Sequence, residues 1–114
     1  MKNPKARLRR KADKLWFERL LKPRCEICNK PSKQVHHFFS KSAFGHLRYD
    51  LDNGISLCNG CHFKLHHQNP TIVQDIIEKR GMEWYNNLKK QAHNPPKDYK
   101  ITIGWYKEEI AKLL

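Results

Sequence analysis

Two Cys-x-x-Cys pairs constrain this chain more than any other feature: Cys25-Glu-Ile-Cys28 and Cys58-Asn-Gly-Cys61, with 29 residues between them. A Cys-x-x-Cys turn sets two thiolates at about the separation that one tetrahedral zinc needs, and a second pair completes the shell. The spacing predicts a structural Zn²⁺ on Cys25, Cys28, Cys58 and Cys61 that fastens the two ends of residues 24–62. A closed four-thiolate shell has no open position, so this ion is expected to do no chemistry. The competing readings are a thioredoxin-like redox motif, which explains one pair only, and cysteines that are simply buried.

Composition shows why such a fastening is needed. Hydrophobic residues make up 39% of the 114 and charged residues 30%, and the apolar ones are spread over short segments. A core that small commonly requires a metal or disulfides. Length predicts one domain, 1–114, in three parts: a basic N-terminal helix over 1–23, a zinc-stapled core over 24–68, and C-terminal helices over 69–114. The net charge is +12, and residues 1–22 hold nine of the 23 Lys and Arg against two acids, Asp13 and Glu18. This balance predicts a nucleic-acid partner ahead of an anionic membrane surface, the plain alternative being a solvated basic face. No apolar run approaches the roughly 18–20 residues of a membrane span, and no signal-peptide apolar region follows the basic start. A soluble, intracellular protein is expected, in which four cysteines are poor candidates for disulfides.

Residues 5–22 read as a basic amphipathic helix, with Leu8, Ala12, Leu15, Trp16 and Leu20 in one apolar stripe and Pro23 as its end. Gln34 to Phe39 is strand-like, and Gly54 to Leu57 reads as a second strand after an Asp52-Asn53-Gly54 turn. Ser40 to Asp52 is a long loop, a length that usually marks function. A helix starts about Cys61 and runs to His67. Asn69-Pro70 opens another that Gly81 closes, Met82 to Ala92 forms a third with Trp84, Tyr85 and Leu88 inward, and Pro95-Pro96 breaks the chain. The last helix, about Gly104 to Leu114, turns Tyr106, Ile110, Leu113 and Leu114 to one face.

Six of the seven histidines fall in residues 24–68. His62 and His66 are four apart, so they share a helix face and are placed to hold one cation. His36 on the first strand is the candidate third ligand, leaving a position open for water or substrate. Adjacent strand residues point to opposite faces, so His37 is directed elsewhere and is free to take a proton from water. The alternative is that some of these rings are surface residues or core hydrogen-bonders, the preferred reading for His46 and His67.

Taken together, Cys25-Glu-Ile-Cys28, His36-His37-Phe-Phe, Asp52-Asn53-Gly-Ile-Ser-Leu-Cys58 and Cys61-His62-Phe-Lys-Leu-His66 resemble an HNH endonuclease, close to phage-type members. The resemblance covers roughly residues 24–68. It implies a small α+β fold, a ββα-metal core with structural zinc framed by N- and C-terminal helices. It assigns His37 as general base and Asn53 as the residue that ties down the loop so that the base is oriented. His36 and His62 become ligands of one catalytic divalent cation (Mn²⁺, Ni²⁺, Zn²⁺ or Mg²⁺), and His66 matches the third histidine of members with an H-x-x-x-H helix. Many members carry Asp where His36 stands. The implied partner is DNA, with no membrane, and the implied setting a bacterial or phage-infected cytoplasm. Arg7, Arg9, Arg10, Lys11, Lys41, Arg48 and Lys64 are candidate phosphate contacts. The rival is a non-catalytic zinc-binding module that holds nucleic acid, which leaves His36, His37, His62 and His66 without a reason. A zinc-stapled component of a ribonucleoprotein would leave them equally unexplained.

Overall fold

Asn3 and Pro4 start the first helix. In the computed structural model, which describes residues 3–67 and 69–114, the Asn3 side chain accepts from the amides of Lys5 and Ala6 at 3.0 and 3.2 Å. Pro4 has no amide to satisfy and takes the first helical position of α1 (Pro4–Leu20). The chain turns extended at Leu21, ahead of Pro23. The apolar stripe faces inward as its period predicts: Ala12 and Trp16 are buried against Tyr49, Tyr106, Ile110 and Leu113, with Leu8, Leu15 and Leu20 around them.

Two strands form the sheet, β1 (Gln34–His37) and β2 (Gly54–Leu57), antiparallel and in the register Gln34 to Leu57, His36 to Ile55, His37 to Gly54. β1 is two residues shorter than its sequence suggests, because Phe38 and Phe39 leave the ladder to pack against the loop and α4. The Phe38 amide still donates to the Asn53 carbonyl at 2.8 Å. The stretch between the strands is a loop organised by two single 3₁₀ turns, Gly45–Leu47 and Leu51–Asn53.

All four residues of β2 are buried, since both of its faces are covered. Ile55 and Leu57 point into a core with Leu65, Ile72, Ile76 and the cysteines. On the other face, Gly54 lies under Trp16 and Leu20 of α1, and Ser56 accepts from the Lys22 amide at 2.9 Å. Gly54 has ordinary extended dihedrals, so glycine is needed there for space rather than for turn geometry: a Cβ would stand 2.7 Å from Trp16 Cζ2.

The sheet leads into α2 (Asn59–His66), then α3 (Pro70–Arg80), α4 (Met82–His93) and α5 (Ile103–Leu113). Asn69 caps α3 through the Thr71 amide at 2.9 Å, Gly81 ends it at φ +97°, and Thr102 caps α5. Arg80 at the end of α3 ties the sheet to the first cysteine turn. Its guanidinium donates to both Glu26 carboxylate oxygens at 2.8 Å and to the Gly54 carbonyl at 2.9 Å. α5 packs along α1 and presents Tyr106, Ile110 and Leu113 to it. Leu114, expected on that face, is 78% exposed because the helix ends one residue earlier. In α4, Leu88 and Ala92 are buried while Trp84 and Tyr85 are half-buried.

Candidate active site and metal centre

The two cysteine turns meet at the edge of the sheet. The sulfurs of Cys25, Cys28, Cys58 and Cys61 all lie within 4.8 Å of one another, and the Cys28 and Cys58 sulfurs are 3.4 Å apart. A tetrahedral zinc with Zn–S bonds of about 2.3 Å places its sulfurs roughly 3.8 Å apart, so this donor set fits that ion. Local backbone builds each turn. The Asn29 amide donates to the Cys25 carbonyl at 3.1 Å and Asn29 takes φ +66°, a conformation asparagine tolerates. Amides also point at the sulfurs: Ile27 N–H at Cys25 and Cys61 N–H at Cys58, each at 3.4 Å. Burial opposes ionisation of Cys25, but the surrounding amide donors prevail and bring its thiol to about 7. All four cysteines are free of disulfides.

His36 and His37 leave β1 on opposite sides. The His36 ring is 5.1 Å from that of His62, which is in turn 6.2 Å from His66 one turn along α2. Burial, followed by the neighbouring His62, His37 and His66, pushes the His36 pKa down to about 4. Burial and His66 likewise lower that of His62. His36 and His62 are therefore neutral at pH 7, the form that binds metals. The three rings adjoin but are more spread than the thiols. Among the described residues, the cysteines are the group whose ligand atoms all come within 4.8 Å of one another.

His37 is held on the far face. Its ring stacks on Trp16 with centroids 4.1 Å apart and planes at 8°, and its Nε2 is 2.9 Å from the Arg48 carbonyl oxygen. A carbonyl can only accept, so Nε2 carries the hydrogen and the neutral ring has its lone pair on Nδ1. Burial lowers the His37 pKa from the ordinary histidine value, an effect the bond to Arg48 partly offsets.

Asn53, fully buried, holds the loop that carries Arg48. Its Oδ1 accepts from the Phe39 amide at 2.8 Å, and its Nδ2 donates to the carbonyls of Phe39 and Leu47 at 3.0 and 3.2 Å. The start and the middle of the loop are thus tied to one side chain at its end. Trp84 adds a bond from Nε1 to the Asp52 carbonyl at 2.9 Å.

The basic residues divide into two groups. Arg7, Arg9, Arg10 and Lys11 are exposed on α1, and Lys41 and Lys64 are exposed on the loop and on α2. The Arg48 guanidinium instead binds Asp13 with both arms, at 2.9 and 2.8 Å, so this side chain is engaged within the protein. Its backbone carbonyl is what touches His37. His46 lies outside the histidine cluster, its Nε2 at 2.8 Å from the Gln91 carbonyl. A cleft of about 790 Å³ between the loop and α5 is lined by His46, Tyr49, Tyr99 and Trp105 and includes none of His36, His37, His62 or His66.

Sequence reasoning missed the parts played by Trp16 and Asp13. Helical periodicity marks Trp16 as a core residue, and nothing in the spacing of either residue announces a histidine 21 or 24 positions later.

Two antiparallel strands lead into a short helix to form a ββα unit, with histidines on the first strand and on the helix and a buried asparagine before the second strand. The family model described as HNH endonuclease matches residues 25–68. That match supports a nuclease-type or nucleic-acid-binding role. No curated protein and no solved structure matches the chain significantly. Among the described residues no helix is long and apolar enough to cross a membrane.

Proposed function

We propose that the protein is a metal-dependent DNA endonuclease of the HNH type, hydrolysing phosphodiester bonds with His37 as general base. The observation that carries this reading is the hydrogen bond from His37 Nε2 to the Arg48 carbonyl, which leaves Nδ1 as the basic atom. Burial keeps this ring neutral near pH 7, ready to accept a proton from water. Asn53 holds the loop, and with it the carbonyl that orients the base. His36, His62 and His66 form a donor set of three imidazoles that suits Mn²⁺, Ni²⁺ or Zn²⁺ by ligand type, with Mg²⁺ the poorer match. A cation bound there supplies charge neutralisation at the phosphate and at the leaving 3′-oxygen. The products would carry 5′-phosphate and 3′-hydroxyl ends.

The test is cleavage of supercoiled plasmid by the zinc-loaded protein with each of Mn²⁺, Ni²⁺, Zn²⁺ and Mg²⁺ added. Metal-dependent nicking or linearisation supports the reading, and intact plasmid under every condition removes it. Because the His37 pKa is lowered, its basic form is already dominant below the ordinary histidine value of about 6.5. The rate at saturating metal is expected to rise with pH through a midpoint below 6.5 and to level off by neutrality. A midpoint well above 7 would assign the proton to another group.

The exposed cations of α1 would contact the phosphate backbone. Replacing Arg7, Arg9, Arg10 and Lys11 with glutamine is expected to weaken DNA binding, and each lost contact should reduce the slope of log K against log salt by about one unit. An unchanged slope would mean that DNA lies elsewhere. One observation favours the non-catalytic zinc-binding module: the histidine ligand atoms are less gathered than the thiols. That module would bind DNA in the same assay and leave it uncut.

A further inference from the structure

His37 is fixed by contacts that lead back to α1, outside the segment 25–68 that matches the HNH family. The Trp16 indole lies parallel to the imidazole, 4.1 Å from it. The same indole donates through Nε1 to the Asp50 carbonyl at 3.0 Å. One side chain therefore sets the plane of the ring and also anchors the loop that provides its acceptor. Asp13, three residues earlier on the helix, grips the Arg48 guanidinium with both carboxylate oxygens, and the carbonyl of that same arginine accepts from His37 Nε2. Trp16 has room to lie there because His37 is paired across the ladder with Gly54, whose missing side chain leaves the space the indole fills.

We propose that Trp16 and Asp13 are positioning residues for the HNH site, so that α1 sets the plane and the tautomer of the His37 ring and the family segment alone does not hold a competent base. The kinetic part of this inference rests on the nuclease reading, whereas the geometric part does not. An imidazole free to turn about its Cβ–Cγ bond exchanges the places of its two sides. Its Nε2–H tautomer then keeps only the modest preference of a free imidazole once the fixed carbonyl acceptor is gone. Stacking on a flat, buried indole resists the turn. A two-armed guanidinium–carboxylate pair is a directional restraint on the residue that carries the acceptor. Asn53 fastens Phe39 and Leu47 but makes no bond to Arg48.

A residue that is only core would lower stability when changed and leave the histidine in the folded protein as it was. The test therefore reads the ring directly. It uses the full zinc-loaded chain as wild type, Trp16→Leu, Trp16→Phe and Asp13→Asn. Long-range ¹⁵N–¹H correlation spectra at fixed pH report the His37 tautomer without substrate. Wild type is expected as Nε2–H, Trp16→Leu and Asp13→Asn as mixtures with Nδ1–H, and Trp16→Phe, which keeps a stacking face, as close to wild type. In single-turnover cleavage of duplex DNA with Mn²⁺, the maximal rate should fall roughly 10–100-fold for Trp16→Leu and about 3–10-fold for Asp13→Asn, with little change in the DNA concentration needed. Trp16→Phe should recover to within about threefold of wild type. Asp13 has a side chain 39% exposed, so its variant decides the matter if Trp16→Leu does not fold. A His37 that stays wholly in the Nε2–H tautomer in the folded variants overturns the proposal. A wild type that cuts no DNA with any metal removes the nuclease reading instead, and the spectra then judge the positioning by themselves.

Discussion

Replacing His37 with alanine is expected to lower single-turnover cleavage by roughly 10²–10⁴-fold while metal and DNA bind nearly as before, because a general base contributes about that much. The structural consequence should be small by comparison. The Arg48 carbonyl loses one donor, at a cost of about 1 kcal/mol, and Trp16 loses a stacking partner. Raising the pH should partly restore this variant, since hydroxide can replace the missing base. His36→Ala is expected to fail differently. Its ring stands on the other face of β1, against His62, so the loss should appear in the metal concentration needed and be partly recovered by adding more. Titrating metal and pH for both variants separates the two roles. A His37→Ala protein that cuts at the wild-type rate would remove the catalytic assignment, and the zinc-binding module would become the better account.

Cys28→Ser and Cys61→Ser should each unfold the central segment. Structural zinc in small modules contributes about 10–16 kcal/mol near neutral pH, as much as or more than the whole stability of an ordinary small domain. The core here cannot absorb that loss. Apart from the thiols, its buried members are Ile55, Leu57, Leu65, Ile72 and Ile76, and Cys25, Cys58 and Cys61 are packed among them. Cys28 makes the cleaner test. It is exposed, so replacing sulfur by oxygen there removes little packing, and any large effect must come from the metal. Elemental analysis and circular dichroism check the outcome: zinc should fall from one per chain to none, together with loss of the cooperative transition. A folded variant without zinc, or folded wild type without zinc, would refute this assignment.

Much of the frame was legible in the residues because its causes are local. Asn3-Pro4, Asn69-Pro70 and Gly81 mark helix ends through caps and backbone dihedrals that operate within a turn. The stripe of Leu8, Ala12, Trp16 and Leu20 faces inward because a helix repeats its face every three to four residues. Errors fell where packing overrides pattern. Phe38 and Phe39 continue the apolar character of β1 yet leave the ladder, drawn by Trp84, Tyr85 and Phe44 in an aromatic cluster. Gly54 looks like a turn glycine beside Asp52-Asn53, and the reason for it proves to be an indole from α1.

For the site, the spacing of Cys25, Cys28, Cys58 and Cys61 was sufficient by itself to predict that the four thiols gather in one cluster. Ligand geometry restricts which thiols can share an ion, and a Cys-x-x-Cys turn carries that geometry within four residues. Strand alternation was equally sufficient to separate His36 from His37, since neighbouring side chains must take opposite faces. Only the tertiary structure decided what each ring meets. That His37 rests on Trp16, that Arg48 gives its carbonyl to the histidine and its guanidinium to Asp13, and that Asn53 binds Phe39 and Leu47 are contacts spanning 6 to 35 residues along the chain. Such contacts depend on how α1 lies against the sheet. That placement is settled by the joint burial of α1, α5 and β2, to which no short stretch of sequence has access.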